Sequence, residues 1–475
     1  MSQADTVDLS SYANDAWRRY AIETIENRAL SEIYDGLKPV GRRILYEMSR
    51  MGLTPTADPV KTARVIGNTM GNFHAHGDSS IQSALETLVN STVPPVRGVG
   101  NWGNRDNGAA APRYTNCKLT PYGMTLVDKD YLAVTPMSPN YDGKDWEPVV
   151  LPALLPNLFL NGGSGIAVGV TLDLPPIEAR GILQITQAIL EGKEVTPKLA
   201  AKATRILYQN GAKQALDSAE DKAAWVQFWT TGKASLDIKP RMHQLDTKTG
   251  VLVVAGIPPS LGAMSKVIEY LQDLEAVKDV HNLGSNQKYG KDAVEILLKP
   301  SRQLNTVAQE IVDGLVATVH PKLNVVQRMQ KSVEDVADIR TRIRVDGPLA
   351  VLQSWCKSRV ALEVRYLEHK EKQIQGKIAH TELLILACNN REVVLKALKS
   401  NEPDAALAKS LKITLPQAGV ILDMPVRRLS VLDEHKLMVQ LKAQEGELKR
   451  IRTWQKNPSA KIVSDIDTLL LTALA

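Results

Sequence analysis

The chain has 475 residues, 44% of them hydrophobic and 23% charged, with a formal net charge of +6. That length exceeds a single core and implies roughly two to four domains, while the charge permits nucleic-acid binding without demanding it. No window approaches about 18 uncharged apolar residues, so no membrane span is expected, and three scattered cysteines, Cys117, Cys356 and Cys388, argue against a disulfide framework or zinc ribbon and fit a reducing compartment.

Aromatic residues make up only 5%, with three Phe, so aliphatic side chains are expected to fill the cores. Residues 1–27 carry Trp17, Tyr20, Ile22 and Ile25 at helical spacing, and with no basic start or apolar run they give no secretory signal. Gly36 and Pro39 punctuate a turn. After it, Val40, Ile44, Leu45 and Met48 predict a helix with Arg42 and Arg43 near its start. Basic side chains and free main-chain N–H groups at a helix start make an anion site, although a solvated basic helix end fits the same residues.

Lys61 and Arg64 open a second basic segment that runs into His74-Ala75-His76-Gly77-Asp78, and Ile81, Ala84, Leu85 and Leu88 then give helical spacing. Two helices around a short glycine-bearing turn fit a helix-turn-helix whose second helix starts near Asp78, with Asp78 or Ser79 as N-cap. An ordinary helical hairpin in a core fits as well. His74 and His76 form a poor zinc signature without a nearby cysteine, and hydrogen bonding to phosphate or backbone suits them better.

Residues 96–116, VRGVGNWGNRDNGAAAPRYTN, read as a loop. It lacks the lysine of a phosphate-binding P-loop, but its glycines let backbone approach a phosphodiester closely. Trp102 either packs the loop down or stacks on a base. Residues 137–157 are irregular and proline-dotted, and a domain boundary is placed there. Residues 158–170 read as a buried strand, a glycine turn and a second strand. Ile166 is then either an exposed apolar tip able to wedge between base steps or a core isoleucine.

From 178 to 330, helices are expected at 178–192 and 263–277 and strands at 232–240, 250–256 and 292–299, a supporting α+β unit without catalytic motifs. From about 332 the chain turns to long helices. Val360, Val364, Leu367, Glu371, Ile374, Ile378, Thr381 and Ile385 follow a coiled-coil seam, and Leu437, Leu441, Gln444, Leu448 and Ile451 repeat it. The residues between, 386–432, suggest a helical knob at the tip of an antiparallel arm. A single amphipathic helix packed within its own domain is the alternative.

Taken in order, these stretches resemble the breakage-reunion protein of type IIA DNA topoisomerases, the A subunits of bacterial DNA gyrase and topoisomerase IV. The resemblance is carried by Arg28-Ala29-Leu30, Asp35 to Val40 with Arg42-Arg43, Ala63 to Gly67, His76 to Ser79, Gly100-Asn101, Gly103, Ala109 to Ala111 with Arg113-Tyr114-Thr115, Asn161-Gly162, Gly165 to Gly169, Ile421 to Met424 and Leu429. It runs from about Tyr20 to about Leu441. The chain departs from the family pattern at Ala75, at Gly41 (one basic side chain fewer), at Val99, and at Ser83, where family members often carry an acid on which fluoroquinolones lean.

The resemblance implies a multidomain α+β fold: an N-terminal helical arm (1–27), a winged-helix DNA-binding domain (28–150), an α/β tower (151–331), a long antiparallel coiled coil with a helical exit-gate knob (332–455) and a C-terminal helix (456–475). Tyr114 would be the nucleophile that forms a phosphotyrosyl bond to a DNA 5′ end, and Arg113 would stabilise the transition-state charge. Arg28, Lys38, Arg42, Arg43, Arg64, His74, His76 and Ser79 would contact DNA or support the site, and Ile166 would kink the duplex. Tyrosine hydroxyls are mostly protonated at neutral pH and need a base or cationic surroundings to attack phosphorus. No acidic cluster suited to Mg²⁺ and no ATP motif stands out. The resemblance therefore places both on a B-type partner subunit, with no metal on this chain.

Double-stranded DNA, the B-type partner and a second copy docked through the exit gate are the implied partners, in the cytoplasm of a bacterium or a phage-infected host. A short protein of this kind also resembles the medium subunit of phage topoisomerases. With no C-terminal β-pinwheel in view, relaxation and decatenation are expected rather than negative supercoiling. A non-enzymatic winged-helix architectural DNA-binding protein is the competing reading, and only Tyr114 chemistry separates the two.

Overall fold

The computed structural model describes residues 8–284, 288–290, 292–327, 343–344, 346–425 and 431–472. Residues 1–7, the expected boundary at 331–332 and Leu429 lie outside them. The fold is mixed α+β, and the chain divides into two compact units, Met1–Val360 with Ile462–Ala475, and Ala361–Lys461.

The first unit starts with α1 (Leu9–Thr24), capped by the Asp8 carboxylate, which accepts from the Ser11 N–H at 3.0 Å. Of the residues at helical spacing, Trp17 is 60% and Tyr20 63% exposed, while Ile25, just past the helix end, is buried. Helix α2 (Pro39–Arg50) begins with proline at its first position, where no N–H is needed, and buries Ile44, Leu45 and Met48. Helices α3 (Thr62–Asn72) and α4 (Asp78–Val89) pack on α2 through Val65, Ile66, Ile81 and Leu85. Each such fully buried aliphatic side chain contributes about 1.5–3 kcal/mol. A three-stranded antiparallel sheet closes the group: β1 (Val60–Lys61), β2 (Val96–Val99) and β3 (Asn116–Leu119) in the order β1-β3-β2, with Cys117 central and opposite both Val60 and Gly98.

The hydrophobic core continues without a break from this group to Ile238 and takes in Ile462, Ile466 and Leu469 of the last helix, Pro458–Thr472. All three phenylalanines, Phe73, Phe159 and Phe228, are buried; Trp225 and Phe228 stack, and Trp229 meets both of them edge-on. A second core lies between a four-stranded antiparallel sheet (Met242–Asp246, Val251–Ala255, Val294–Leu298 and Val277–Asn282, in that order) and the helices Met264–Gln272 and Leu304–Gly314.

In the second unit the 42-residue helix Pro348–Asn389, from Ala361 onward, packs against Val431–Lys456. Leu367, Ile374 and Thr381 of the expected seam are buried, and Glu371 crosses to Arg452 (2.9 Å) and Gln455 (2.8 Å). Val364 is not part of the seam: it is exposed, and Leu362 and Glu363 are buried in its place, Glu363 lying 3.4 Å from Lys461. The helices Arg391–Ala397, Pro403–Leu411 and Leu415–Leu422 form a small globule around Leu407, Ala418 and Ile421.

Candidate active site

Tyr114 and Arg113 lie at the end of the loop between β2 and β3, and both are exposed. The Arg113 guanidinium sits over the Tyr114 ring, 4.8 Å from its centroid, an arrangement worth about 0.5–1 kcal/mol at an exposed position. The backbone around them is fixed to the start of α3. The Thr62 N–H donates to the Thr115 carbonyl at 3.0 Å, the Ala63 N–H to the Pro112 carbonyl at 3.3 Å, and the Thr115 hydroxyl to Thr62 Oγ1 at 2.9 Å. Two of the unpaired N–H groups of a helix start are thus satisfied by the tyrosine loop. The exposed Arg64 stands on that same first turn of α3.

Upstream in the loop, Trp102 is buried and donates through Nε1 to the Val99 carbonyl at 3.3 Å, while Asn90 donates to its carbonyl at 2.9 Å. A side chain at Gly98 would lie 2.4 Å from the indole nitrogen. Trp102 is therefore the packing element of the loop rather than a stacking platform for bases.

The residues expected to contact DNA or support the site fall into two groups. Arg28, Arg64, His76, Ser79 and Arg113 are exposed. Arg42 is buried in an ion pair, Nε donating to Asp35 Oδ2 at 2.6 Å and Nη2 to Oδ1 at 3.2 Å, so it supports the turn before α2 and does not reach a phosphate. Arg43 is also committed, donating Nε and Nη2 to Glu147 at 2.6 and 2.7 Å and Nη1 to His74 Nδ1 at 3.0 Å. The anion site expected at the start of α2 is thus occupied by the protein's own carboxylates. Lys38, the N-cap residue of α2, is half-buried, and burial holds its ammonium below the ordinary lysine range.

His74 is buried and stacked on His76 at 4.5 Å. Burial, the Arg43 charge and then His76 depress its pKa from 6.5 to about 4. Arginine can only donate, so neutral His74 accepts at Nδ1 and carries its proton on Nε2. Helix α4 starts at Asp78 as expected, but the N-cap is Gly77, with no side-chain cap. Asp78 accepts from the Ser79 N–H at 2.9 Å, and Ser79 is exposed.

Ile166 is 82% exposed on the hairpin Gly163–Ala167/Val170–Leu174. The expected first strand is displaced. Residues 157–161 form a short helix, and the glycine run itself is the strand. Gly165 is required there, because a Cβ would lie 2.1 Å from the Ala29 carbonyl. The hairpin therefore crosses the chain right beside Arg28. Asn161 ties its base down, exchanging hydrogen bonds of 2.6 and 2.9 Å with the backbone of Val93 and donating to Asn157 at 2.7 Å. Asn157 accepts from the buried Tyr122 hydroxyl at 2.7 Å and donates to the Asp35 carbonyl at 2.8 Å. Burial and the Asp35 charge push the Tyr122 phenol up.

Sequence reasoning missed Glu147, the Asp35 and Asn157 network, and the loop residues Arg105 and Asp106 described below. Two Asp-x-Asp pairs do occur, but Asp128 caps its own helix and Asp467 accepts from Gln187 at 2.7 Å. Among the described residues no group of three or more His, Cys, Asp or Glu could hold a metal ion, so the fit to Mg²⁺ fails on these residues. Among them, too, no helix is long and apolar enough to cross a membrane.

Comparison with known proteins gives the same direction. Residues 28–467 match the family described as the A subunit of DNA gyrase/topoisomerase IV. The chain is 33% identical to the A subunit of DNA topoisomerase 4 from Caulobacter vibrioides, over 88% of this chain and 55% of that protein. It is 29% identical to the Neisseria gonorrhoeae protein of the same name (97% and 63%) and 29% identical to the A subunit of DNA gyrase from Streptococcus pneumoniae (91% and 52%). The chain spans somewhat over half the length of these relatives. All three are bacterial, and kinship with a phage protein gains no specific support. With a family match over nearly its whole length, the chain belongs to the family of DNA gyrase/topoisomerase IV A subunits.

Proposed function

We propose that this chain is the DNA-cleaving and religating component of an ATP-dependent type IIA topoisomerase. The observation that carries this is Tyr114, exposed and covered by the Arg113 guanidinium, on backbone fixed to the start of α3. The phenolic oxygen attacks a phosphodiester phosphorus, the Tyr114 O–P bond forms and the P–O3′ bond breaks. The phenolic proton leaves to solvent or a base, and the 3′ oxygen departs and takes up a proton. Reversal reseals the strand without ATP, because the phosphotyrosyl ester conserves the energy of the broken link. Arg113 supplies positive charge near the phosphoryl oxygens, the main form of help that phosphoryl transfer accepts.

In this reading α2, α3, α4 and the small sheet act as the winged helix within 28–150, 151–331 is the tower, and 332–455 is the coiled coil with the exit gate. Arg28, Arg64, His76 and Ser79 meet the DNA, Lys38, Arg42, Arg43 and His74 shape that surface from beneath, and Ile166 wedges into a base step beside Arg28. Mg²⁺ and ATP belong to a B-type partner, and two copies of the chain cut the two strands of a duplex, in the cytoplasm. The test is to assemble the chain with such a partner, trap the adduct on supercoiled DNA with detergent, digest the DNA and locate the modified peptide by mass spectrometry. A nucleotide on Tyr114 supports the reading, and a nucleotide on any other residue overturns it.

A further inference from the structure

The loop that ends in Tyr114 is also held at its middle, by two side chains with no part in the chemistry above. Arg105 donates from Nε to the Gly262 carbonyl at 2.8 Å, from Nη1 to the Ile257 carbonyl at 3.1 Å and from Nη2 to the Pro258 carbonyl at 3.1 Å. A further bond joins Nη2 to Gly262. The Asp292 carboxylate lies 3.6 Å from Nη1, and both side chains are only 14% exposed. Asp292 is itself held in the left-handed region (φ 57°), where its carbonyl accepts from the Ile257 N–H at 3.1 Å and its carboxylate from Asn210 at 2.7 Å. The next residue completes the grip: Asp106 Oδ1 accepts from the Ser265 N–H at 2.9 Å, in the first turn of Met264–Gln272.

This socket is built from the segment that follows strand Val251–Ala255, on the subdomain with its own core. A planar fork with five donors fills a ring of carbonyls that a single ammonium could not. Gly100 and Gly103 both adopt positive φ, and the Trp102 anchor on one side and the Thr62 and Ala63 contacts on the other hold the loop to either side of Arg105 and Asp106. An in-line attack tolerates little error, and a displacement of about 1 Å costs on the order of a hundredfold in rate.

We propose that Arg105 and Asp106 form a latch that fixes the Tyr114 loop to the four-stranded sheet subdomain, making them positioning residues for the nucleophile. The proposal rests on the reading of Tyr114 as that nucleophile. The test uses the full chain assembled with its ATPase partner and Mg²⁺. Single-turnover rates of covalent adduct formation on supercoiled DNA are measured beside the DNA Kd and the thermal midpoint, for Arg105→Ala, Asp106→Ala, Asp106→Asn and Tyr114→Phe. The latch predicts that Arg105→Ala and Asp106→Ala slow adduct formation about tenfold or more with Kd within about twofold. Asp106→Asn, which keeps the accepting oxygen, stays within about twofold of the parent in both. Parental rates in the two alanine variants, an Asp106→Asn as slow as Asp106→Ala, or a Kd that weakens in step with the rate would each overturn it. If Arg105→Ala does not fold, the two Asp106 variants decide alone. Adducts that persist in Tyr114→Phe would instead remove the nucleophile reading on which the latch depends.

Discussion

Arg43 grips Glu147, 104 residues later in the chain, through two parallel hydrogen bonds of 2.6 and 2.7 Å. The pair is 21% and 13% exposed, so the guanidinium's charge is largely spent inside the protein. It joins α2 to the strand Trp146–Pro148 and leaves the third nitrogen to orient His74. Glu147→Ala is expected to destabilise the chain by about 2 kcal/mol, less than a fully buried pair because some solvent reaches it. It should also steepen the dependence of log Kd on log salt for DNA by about one, since one more cation becomes available to phosphate. Urea unfolding and a salt titration of DNA binding measure the two effects. An unchanged salt slope would show that Arg43 cannot reach the DNA even when released.

Asp35 and Arg42 are the more deeply buried pair. Asp35 also accepts from the Leu37 N–H at 3.0 Å and the Leu151 N–H at 2.9 Å. Removing its carboxylate strands a buried guanidinium and two N–H groups. Asp35→Ala is expected to cost about 3–5 kcal/mol, measured by chemical denaturation, and a loss below about 1 kcal/mol would contradict this account of the turn before α2.

His74 gives the chain a pH dependence of definite sign. Its folded pKa, about 4, lies below the ordinary 6.5, so between those values the unfolded chain binds more protons than the folded one. Its contribution is fully present above pH 6.5 and is lost as the pH falls towards 4. The size is at most about 3 kcal/mol. His74→Gln should flatten the stability profile in that window relative to the parent. A difference between the two that does not vary from pH 7 to pH 4 would show that His74 is not held neutral by folding.

Ile166 is 82% exposed, so Ile166→Ala should change stability by no more than about 0.5 kcal/mol. If the side chain wedges into a base step, the same substitution reduces DNA bending, seen by end-to-end energy transfer across a labelled duplex, and slows cleavage while weak binding persists. Full bending in the variant would remove the wedge.

The helices around Tyr114 were legible because their apolar spacing is strong: Ile44, Leu45 and Met48 on α2 and Ile81, Leu85 and Leu88 on α4 are buried as the pattern requires. Punctuation was legible too, with Pro39 at the first position of α2. The failures share a cause, which is that partners far apart in sequence leave no local mark. Nothing near Arg43 announces Glu147, and nothing in GNRDNG tells that Arg105 will be buried in a ring of carbonyls. Arg42 and Arg43 are adjacent and look alike in the sequence, yet one is sealed against Asp35 and the other is clamped at the margin. Helical spacing found α1, but the hydrophobic identity of Trp17 and Tyr20 does not fix which of its faces is covered. Glycines 163 and 165 argued for a turn and instead form a strand, and at Gly165 the close approach of the Ala29 carbonyl leaves no room for a Cβ.

The central claim is that Tyr114 breaks the DNA. Its most direct measurement is covalent adduct formation by Tyr114→Phe, assembled with the ATPase partner and Mg²⁺ on supercoiled DNA and trapped with detergent. The phenylalanine keeps the ring under Arg113 and removes only the oxygen that attacks. The account predicts that binding to DNA is retained and that adducts fall to background. Adducts formed by Tyr114→Phe at the parental level would contradict it.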